Sequence, residues 1–347
     1  MSEPSAKVQQ NKVRSRIVME YDVITLGSAT QDIFMASKDL QVVEDDKFIA
    51  KKGLCVSLGS KMKMDDVSFA MGGCGTNAAV TFARQGLKVA YLGLIGKDCF
   101  GQTVKDELVA QGVSSDLLIE SDKYPTAFSV ILSLPEVDRS IFKKLGACHE
   151  MTDADFNFDK IKAKWIYAGS LSGQAYKSLD KLFEFAKANK IKIAVSPVGQ
   201  SQLGEGLERT KGLLDKVDIL FVNQEEAARL VQIDFNQEDE IFKKLDEWVN
   251  GIVVMTKGPK GVVVSDGEYH YSAGIPKSGI VDRTGAGDAF SSAFLAGYME
   301  KEDIVNAIQL ATANATSVIQ EMGATNGLLK KGEWGEWEKV EVKKDKI

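Results

Sequence analysis

The chain contains few of the residues that build metal centres, disulfide frameworks or membrane spans. It has four cysteines, none of them in a Cys-x-x-Cys pair, and only two histidines, so a structural zinc site is not expected. No window reaches about eighteen consecutive apolar residues, and residues 1–19 lack the apolar core of a secretory signal. We therefore expect a reduced, cytoplasmic protein with no membrane partner.

Dense basic segments are also absent. The net charge is −6, and lysine and arginine occur in isolated pairs such as Lys51-Lys52 and Lys143-Lys144. This pattern argues against nucleic acid as the main partner, because a phosphate backbone is bound by a dense basic surface. The chain has 347 residues, of which 44% are hydrophobic, so it can bury a sizeable core.

Apolar strand-like runs alternate with helix-like runs along most of the chain. We predict strands at 21–27, 89–95, 165–168, 191–195, 218–222, 252–256 and 261–265. We predict helices at about 76–86, 101–112, 174–188, 205–214, 224–232, 237–249, 286–299 and 303–321. This alternation predicts an α/β fold with a mainly parallel central sheet covered by helices on both faces.

Two regions interrupt the alternation. Residues 33–72 and 126–146 contain short β-like pieces and turns without a helical period. Together they predict a small separate sheet, which would suit a lid that closes over a substrate and excludes water. The polar ends of the chain, residues 1–19 and 335–347, are expected to be solvated and poorly packed tails.

The segment from Val281 to Phe290 (VDRTGAGDAF) places glycines at the start of a predicted helix. Gly285 and Gly287 leave the backbone N–H groups open to an anion, and the positive end of the helix dipole lies behind them. Asp288 falls in the first turn, where it could accept a proton from an attacking hydroxyl. The segment therefore predicts a phosphoryl-transfer site. Its plainer interpretation is a glycine-rich turn followed by an ordinary first-turn aspartate.

A second glycine cluster, Met71 to Ala79 (MGGCGTNAA), also leads into a predicted helix. Taken as G-x-G-x-x-A, it resembles a dinucleotide fingerprint, which would favour an NAD-dependent oxidoreductase. Its context is poor, because the preceding β piece belongs to the predicted lid and not to the first strand of the main sheet. Alternatively, Gly72, Gly73 and Asn77 approach a hydroxylated small molecule and hydrogen-bond its oxygens.

Several ordered landmarks together resemble the ribokinase-like, or PfkB, family of carbohydrate and nucleoside kinases. The resemblance spans roughly residues 20–327. It rests on six motifs, GSATQD (27–32), GGCGTN (72–77), GLIGKDCFG (93–101), NQEE (223–226), TKGPKG (256–261) and DRTGAGD (282–288).

The resemblance implies a three-layer α/β/α kinase domain at 20–327 with a β lid formed by about 33–72 and 126–146. It implies transfer of the γ-phosphoryl group of ATP, with Mg²⁺ and in some relatives K⁺, to a hydroxyl of a sugar or sugar derivative. A nucleoside acceptor remains the main alternative. The NAD-dependent oxidoreductase and a sugar- or nucleotide-binding protein without catalysis are further ones. The lid of such relatives can also mediate a homodimer.

The same resemblance assigns roles to individual residues. Asp288 matches the catalytic base, and Gly285, Ala286 and Gly287 match the anion hole. Positions that grip substrate hydroxyls are matched by Asp32, Gly72, Gly73 and Asn77. The nucleotide side is matched by Asn223, Thr256, Gly258, Gly261 and Asn314. Metal placement is implied for Glu226, which matches a magnesium position acting through water, and for Asp282 and Thr284, which lie where some members bind a monovalent cation.

Some of these residues have a purely structural alternative. Asn223 and Glu226 also fit a helix capping box. Thr256 to Gly261 also fits a β-turn between two strands. Asn314 could be a buried hydrogen-bonding residue, and Asp32 a turn residue.

The chain departs from the ribokinase pattern in two places. Cys74 stands where ribokinases have a lysine, and Ala168 to Gly173 contains no acid to hold ribose hydroxyls. Ribose itself is therefore in doubt. A sugar is favoured over a nucleoside, because neither lid segment offers an evident aromatic pair for stacking a base. Phe69 and Phe128 are candidates for such a pair, but the sequence does not place them relative to the site. Arg283 either faces the site and favours an anionic substrate or points to solvent.

Overall fold

A large, mainly parallel sheet lies at the centre of the molecule. The computed structural model describes residues 20–48, 51–134, 138–196 and 207–347. Within these ranges, ten strands pair in the order β16 (Val342–Lys346), β15 (Tyr269–Ala273), β14 (Val262–Ser265), β13 (Ile252–Thr256), β12 (Ile219–Asn223), β11 (Lys192–Val195), β10 (Ala163–Ala168), β1 (Tyr21–Leu26), β6 (Val89–Gly96) and β7 (Leu118–Ser121). The parallel strands are β13, β12, β11, β10, β1, β6 and β7, whereas β14, β15 and β16 pair in antiparallel fashion.

Helices cover both faces of this sheet. Their bounds are α1 (Cys74–Arg84), α2 (Cys99–Ala110), α3 (Gly173–Lys177), α4 (Leu179–Ala188), α5 (Leu207–Leu214), α6 (Gln224–Val231), α7 (Glu238–Trp248), α8 (Ala286–Lys301) and α9 (Ile304–Val318). Alternate residues of β1 belong to different cores: Ile24 packs with the α3–α7 layer, and Val23 packs with the layer of α1, α2, α8 and α9. The predicted three-layer α/β/α fold is confirmed.

A separate four-stranded sheet forms the lid. It pairs β2 (Thr30–Ala36), β5 (Asp66–Gly72), β8 (Ala127–Leu134) and β9 (Asp138–Lys144) in the order β5-β2-β8-β9. The β2–β8 pair is parallel and the other two pairs are antiparallel. A hairpin of β3 (Gln41–Glu44) and β4 (Lys52–Cys55) extends from the same region. The lid sheet predicted from the sequence is therefore present.

The structure differs from the prediction in three places. The helix predicted at 174–188 is divided at Ser178 into α3 and α4. The strands β7, β15 and β16 were not predicted, because short or polar strands carry little of the apolar signal on which strand prediction depends. The tail expected at 335–347 includes β16, whose backbone pairs with β15 and whose lysine side chains remain exposed.

Most helices and parallel strands lie close to their predicted positions. The helix predicted at 205–214 is described from Leu207 onward, and its first residues lie outside the described part of the chain. None of the helices in the described ranges has the length and apolarity that a membrane crossing requires.

Candidate active site

The loop before α8 presents open backbone N–H groups. Gly285 adopts a left-handed conformation with φ 77°, and no side chain caps the helix. A Cβ at Gly285 would lie 2.4 Å from the Cβ of Ala324, so only glycine fits there. The N–H groups of Gly287 and Asp288 have no hydrogen-bond partner among the described residues. A Cβ at Gly287 would meet no atom within 4 Å beyond its chain neighbours and the backbone of its own helix. This helix start can therefore receive an anion.

Asp288 lies in the first turn of α8 and contacts the second glycine cluster. The Nδ2 of Asn77 donates a hydrogen bond of 2.9 Å to the Oδ2 of Asp288. Burial raises the pKa of Asp288 to about 6, against the opposing effects of the Asn77 hydrogen bond and the positive charge of Lys143. A carboxylate with a pKa near neutrality is suited to accepting a proton in a reaction near pH 7.

Asp32 is held at the root of the lid. It is buried, and Thr30 donates a hydrogen bond of 3.1 Å to its Oδ1. Burial raises the pKa of Asp32, while hydrogen bonds from Ser129 and Thr30 and the charge of Lys143 act in the opposite direction. A Cβ at Gly72 would lie only 2.0 Å from the Oδ2 of Asp32. Gly72 therefore provides the space that this carboxylate occupies.

Gly73 and Cys74 shape the start of α1. Gly73 has φ 106°, and a Cβ there would lie 2.3 Å from the carbonyl oxygen of Ser28. The Sγ of Cys74 lies 3.3 Å from the Oγ of Ser28 and 3.4 Å from the carbonyl oxygen of Ser170. Burial raises the pKa of Cys74 to about 11, so the thiol stays protonated at neutral pH and is a poor nucleophile.

A cavity of about 540 Å³ brings these groups together between the lid and the carboxyl ends of the parallel strands. Five of the predicted acceptor-side and catalytic residues line it, namely Asp32, Gly73, Asn77, Gly285 and Asp288. A larger cleft of about 680 Å³ lies at the other ends of the strands, where its lining includes Asp22, Lys164 and Lys192. It contains none of the predicted site residues, so the smaller cavity is the better candidate for the active site.

The predicted nucleotide-side residues lie at the ends of neighbouring strands. Asn223 ends β12 and is the register partner of Thr256, which ends β13. Gly258 and Gly261 both have positive φ and form the connection between β13 and β14. A Cβ at Gly261 would lie 1.9 Å from the carbonyl oxygen of Ala273. The hairpin alternative therefore describes the local structure of this loop, whatever ligand it binds.

Asn223 and Glu226 form the capping box that their spacing allowed. The Oδ1 of Asn223 accepts a hydrogen bond of 2.8 Å from the Glu226 N–H, and the Oε2 of Glu226 accepts one of 2.9 Å from the Asn223 N–H. Burial raises the pKa of Glu226, with the hydrogen bond from the Asn223 backbone opposing it. No group of three or more metal-binding His, Cys, Asp or Glu side chains occurs in the described ranges.

Asn314 does not have the position expected of a residue at an adenine ring. It is fully buried in α9, where its Nδ2 donates to the carbonyl oxygen of Ala289 and its Oδ1 accepts from the Leu329 N–H, both at 2.8 Å. Because both ends of the amide bond the backbone of neighbouring segments, Asn314 holds α8, α9 and the 328–329 segment together. This arrangement is the one expected for the alternative, a buried hydrogen-bonding residue.

Asp282 and Thr284 are engaged by protein groups in the arrangement observed. The Oδ1 of Asp282 lies 3.2 Å from a guanidinium nitrogen of Arg139, which comes from β9 of the lid. The same oxygen accepts hydrogen bonds from the N–H of Thr284 at 3.0 Å and from its Oγ1 at 2.7 Å. The Oδ2 accepts from the N–H of Gly323. The Asp282 carboxylate is therefore not free to bind a monovalent cation while Arg139 occupies this position.

Several site residues were missed by the sequence analysis. Lys143 and His149 line the cavity, and the Nδ1 of His149 lies 2.8 Å from the Oγ of Ser172. Burial lowers the pKa of His149, so its ring is neutral near pH 7. The alternation of Arg139, Ile141 and Lys143 in β9 was a signal that could have placed these side chains on one face of the lid. Arg283 is exposed and does not line this cavity.

The three-layer fold, its lid and the anion-binding helix start together define the class of small-molecule kinases. Residues 42–331 match the family described as pfkB family carbohydrate kinase. The chain belongs to this family and is a phosphotransferase with an alcohol group as acceptor, of the class that acts on sugars or nucleosides. This finding removes the NAD-dependent oxidoreductase from consideration.

Individual relatives and solved structures agree with this placement. A ribokinase from Lactococcus lactis is 30% identical over 276 residues, which are 78% of this chain and 86% of the relative. The crystal structure of adenosine kinase from Sinorhizobium meliloti superposes with a TM-score of 0.72 at 25% identity, covering 88% of this chain and 95% of that one. A putative ribokinase II from E. coli, solved with ATP and Mg²⁺, superposes with a TM-score of 0.76 at 17% identity, covering 88% and 95%.

Proposed function

We propose that the protein transfers the γ-phosphoryl group of ATP to a hydroxyl of a sugar or sugar derivative bound in the 540 Å³ cavity. The observation that carries this proposal is the position of Asp288, which lies in the cavity wall one residue after the exposed Gly287 backbone. A proton acceptor and an anion-binding helix start therefore occur within one turn of helix. Phosphoryl transfer needs both groups at the reacting hydroxyl.

In this proposal Asp288 takes the proton of the acceptor hydroxyl as its oxygen attacks the γ-phosphorus. A new O–P bond forms, the bond to the bridging oxygen of the β-phosphate breaks, and ADP leaves with the electron pair. The N–H groups of Gly285 and Gly287 face the oxygens of the transferring group, whereas the Ala286 N–H donates a hydrogen bond of 3.4 Å to the carbonyl oxygen of Arg283 and joins them only if that bond opens. Because they are fixed by the start of α8, they stabilise the developing charge with little reorganisation.

The acceptor is held by the other wall of the cavity. Asp32 and Asn77 line it, and the backbone at Gly72 and Gly73 comes close to the same space. A buried carboxylate and an amide can each hydrogen-bond a hydroxyl. Phe128 lines the cavity, whereas Phe69 lies exposed in β5 and is not among the lining residues, so these two rings do not form a pair that could stack a base. This favours a sugar over a nucleoside.

ATP and Mg²⁺ are proposed as the second substrate and its metal. Asn223, Thr256, Gly258 and Gly261 lie on neighbouring strand ends and loops, where the phosphates and nucleoside would pass. Glu226 is the residue that would hold magnesium through water, since one of its carboxylate oxygens remains outside the capping box. The metal would neutralise charge on the transferring phosphates. A role for K⁺ beside Asp282 and Thr284 would require Arg139 to move.

Residues 20–327 are proposed to act as one kinase domain that dimerises through the outer face of its lid. The register places Phe69, Ile33, Val130 and Phe142 side by side across the four strands. Phe69 and Phe142 are 62% and 60% exposed, and such neighbouring apolar side chains commonly mark a contact surface. The mass of the protein in solution, measured by light scattering, tests this part of the proposal.

Asp288→Asn tests the catalytic assignment. A screen of ATP consumption over sugars, sugar phosphates, sugar acids and nucleosides first identifies the acceptor. We expect the variant to lower kcat about 10²–10⁴-fold, because an amide cannot accept the hydroxyl proton. It should keep ATP binding, measured as the rise in melting temperature that the nucleotide produces.

Asp122→Asn is the matched control. This exposed carboxylate pairs with Lys97 away from the cavity, so its loss should leave turnover unchanged. Turnover by Asp288→Asn close to that of the wild type would remove Asp288 from the role of base.

A further inference from the structure

The inner face of the lid carries a lysine that lines the candidate active site. Arg139, Ile141 and Lys143 alternate along β9 and therefore share one face. The register pairs Lys143 with Ser129 of β8, and Ser129 with Asp32 of β2. Asp32, Ser129 and Lys143 thus form a row across three adjacent strands, and all three line the cavity.

The two cations of this face differ in what they contact. Arg139 pairs with Asp282 at 3.2 Å. Lys143 has no carboxylate at ion-pair distance anywhere in the described ranges, although it lines the same cavity as Asp32 and Asp288. Its charge nevertheless acts on both acids, since it lowers the pKa of each. Lys143 therefore shares the cavity with both carboxylates without being paired with either.

The other basic groups near the cavity do not have this freedom. The Nζ of Lys144 donates to the carbonyl oxygen of Leu145. His149 contacts Ser172, and its burial lowers its pKa, so it offers a neutral hydrogen-bonding ring. Arg283 lies outside the cavity lining. Among the residues that the structure describes, Lys143 is the cation best placed to meet a charge on the acceptor.

A neutral sugar would satisfy Asp32, Asn77 and the serines of the cavity and leave Lys143 to solvent. An acceptor that carries an anionic group would instead form a charge-assisted hydrogen bond with Lys143, which is about twice as strong as a neutral one. Resting on the proposed function, we infer that the acceptor is a sugar derivative with a carboxylate or phosphate group, and that Lys143 selects it by pairing with that group.

The experiment compares matched acceptors with matched variants. Three acceptors that share a carbon skeleton are used: a neutral sugar, its sugar acid and its sugar phosphate. Wild type, Lys143→Met, Lys143→Arg and Lys52→Met are assayed with each, at saturating ATP and Mg²⁺. Lys52 is a matched lysine of the lid hairpin, where it pairs with Glu44 away from the cavity.

We expect wild type to prefer one of the two charged acceptors, and that preference identifies carboxylate or phosphate. Lys143→Met should raise KM for the preferred acceptor about 10- to 100-fold, as expected for loss of one hydrogen bond between charged groups. KM for the neutral sugar should change less than about threefold. Lys143→Arg should recover most of the affinity, and Lys52→Met should behave as wild type.

Two outcomes would overturn the inference while leaving the proposed function intact. One is a wild-type preference for the neutral sugar, with turnover that still depends on Asp288. The other is an equal fall in kcat for all three acceptors in Lys143→Met at unchanged KM, which would mean that Lys143 acts on the chemical step, through Asp288 or the transferring phosphoryl group, and does not select the acceptor. If neither these acceptors nor the wider screen supports ATP-dependent phosphorylation, the proposed function fails and the inference with it.

Discussion

The two glycine-rich loops of the site use glycine for opposite reasons. In the loop before α1, a Cβ at Gly72 would lie 2.0 Å from the Asp32 carboxylate, and one at Gly73 would lie 2.3 Å from the carbonyl oxygen of Ser28. In the first turn of α8, a Cβ at Gly287 would meet no atom within 4 Å beyond its chain neighbours and the backbone of its own helix. At Gly72 and Gly73, protein atoms occupy the place that a side chain would take. At Gly287, a ligand is expected to occupy that place.

Glycines in the two loops should therefore differ in what their substitution changes, stability in one loop and catalysis in the other. Substitution in the α1 loop should cost stability, because it forces packed atoms apart. Substitution at Gly287 should leave the fold intact and remove access to the anion site. Gly285 combines both properties, since a Cβ there would clash with Ala324 and the residue itself is the N-cap of α8.

Among substitutions in the two loops' glycines, the largest effect is expected for Gly287→Ala. The methyl group would project into the space proposed for the transferring phosphoryl group, so kcat/KM should fall about 10²–10³-fold, the loss typical of one anion-hole donor. Stability should stay the same or rise by up to about 1 kcal/mol, because alanine favours helix more than glycine does. Steady-state kinetics and urea denaturation on the same preparation measure the two effects.

Gly212→Ala is the matched control. Gly212 lies in α5, and no atom lies within 4 Å of its added Cβ either, but it is remote from the cavity lining. It should change stability in the same direction without affecting turnover. Equal kinetics for the two variants would mean that the open space beside Gly287 is not the anion site.

An intermediate effect is expected for Gly72→Ala. The new methyl would displace the Asp32 carboxylate and approach the Oγ1 of Thr30, which lies 2.8 Å from the Cβ position. We expect a loss of about 1–3 kcal/mol in the free energy of unfolding, as for other overpacked sites. The acceptor KM should also rise, because Asp32 leaves its position in the cavity wall.

A double-mutant cycle sharpens this prediction. In an Asp32→Ala background the obstructing carboxylate is gone, so Gly72→Ala should cost clearly less stability than in the wild type. Urea denaturation of the four proteins gives the coupling free energy. Additive losses would show that Gly72 is required for a reason other than the space taken by Asp32.

The parallel part of the fold could be predicted because its strands are apolar along their whole length. All eight residues of β6 are buried, and such runs between helical segments are typical of a sheet covered on both faces. The edge strands β15 and β16 could not be recognised in the same way. Lys343, Lys344 and Lys346 keep β16 polar, and only its pairing with β15 makes it a strand.

The site could be predicted where its chemistry depends on local sequence. Gly285 to Asp288 are neighbours in the chain, so the sequence alone predicts that they share one helix start. The roles of Arg139 and Lys143 could not be predicted, because they depend on the register of β9 against β8. The position of Asn314 could not be predicted for a related reason, since the polarity of a side chain does not indicate whether it faces a ligand or, as observed here, the backbone of a neighbouring segment.

The smallest expected effect concerns the contact that joins the two loops, from Asn77 to Asp288. Burial raises the pKa of Asp288 to about 6, and the base must be ionised to accept a proton. Activity should therefore fall as the pH drops through about 6, and kcat/KM for the acceptor reports this limb in the free enzyme.

Asn77 donates to the ionised carboxylate and so lowers its pKa. Asn77→Ala removes that donor, and the acidic limb should move to higher pH. Asn77→Ser, which can keep a donor near the same position, should move it less. An unchanged limb in the alanine variant would mean that the two loops meet in space without tuning each other, and Asp288 would then owe its pKa to burial and Lys143 alone.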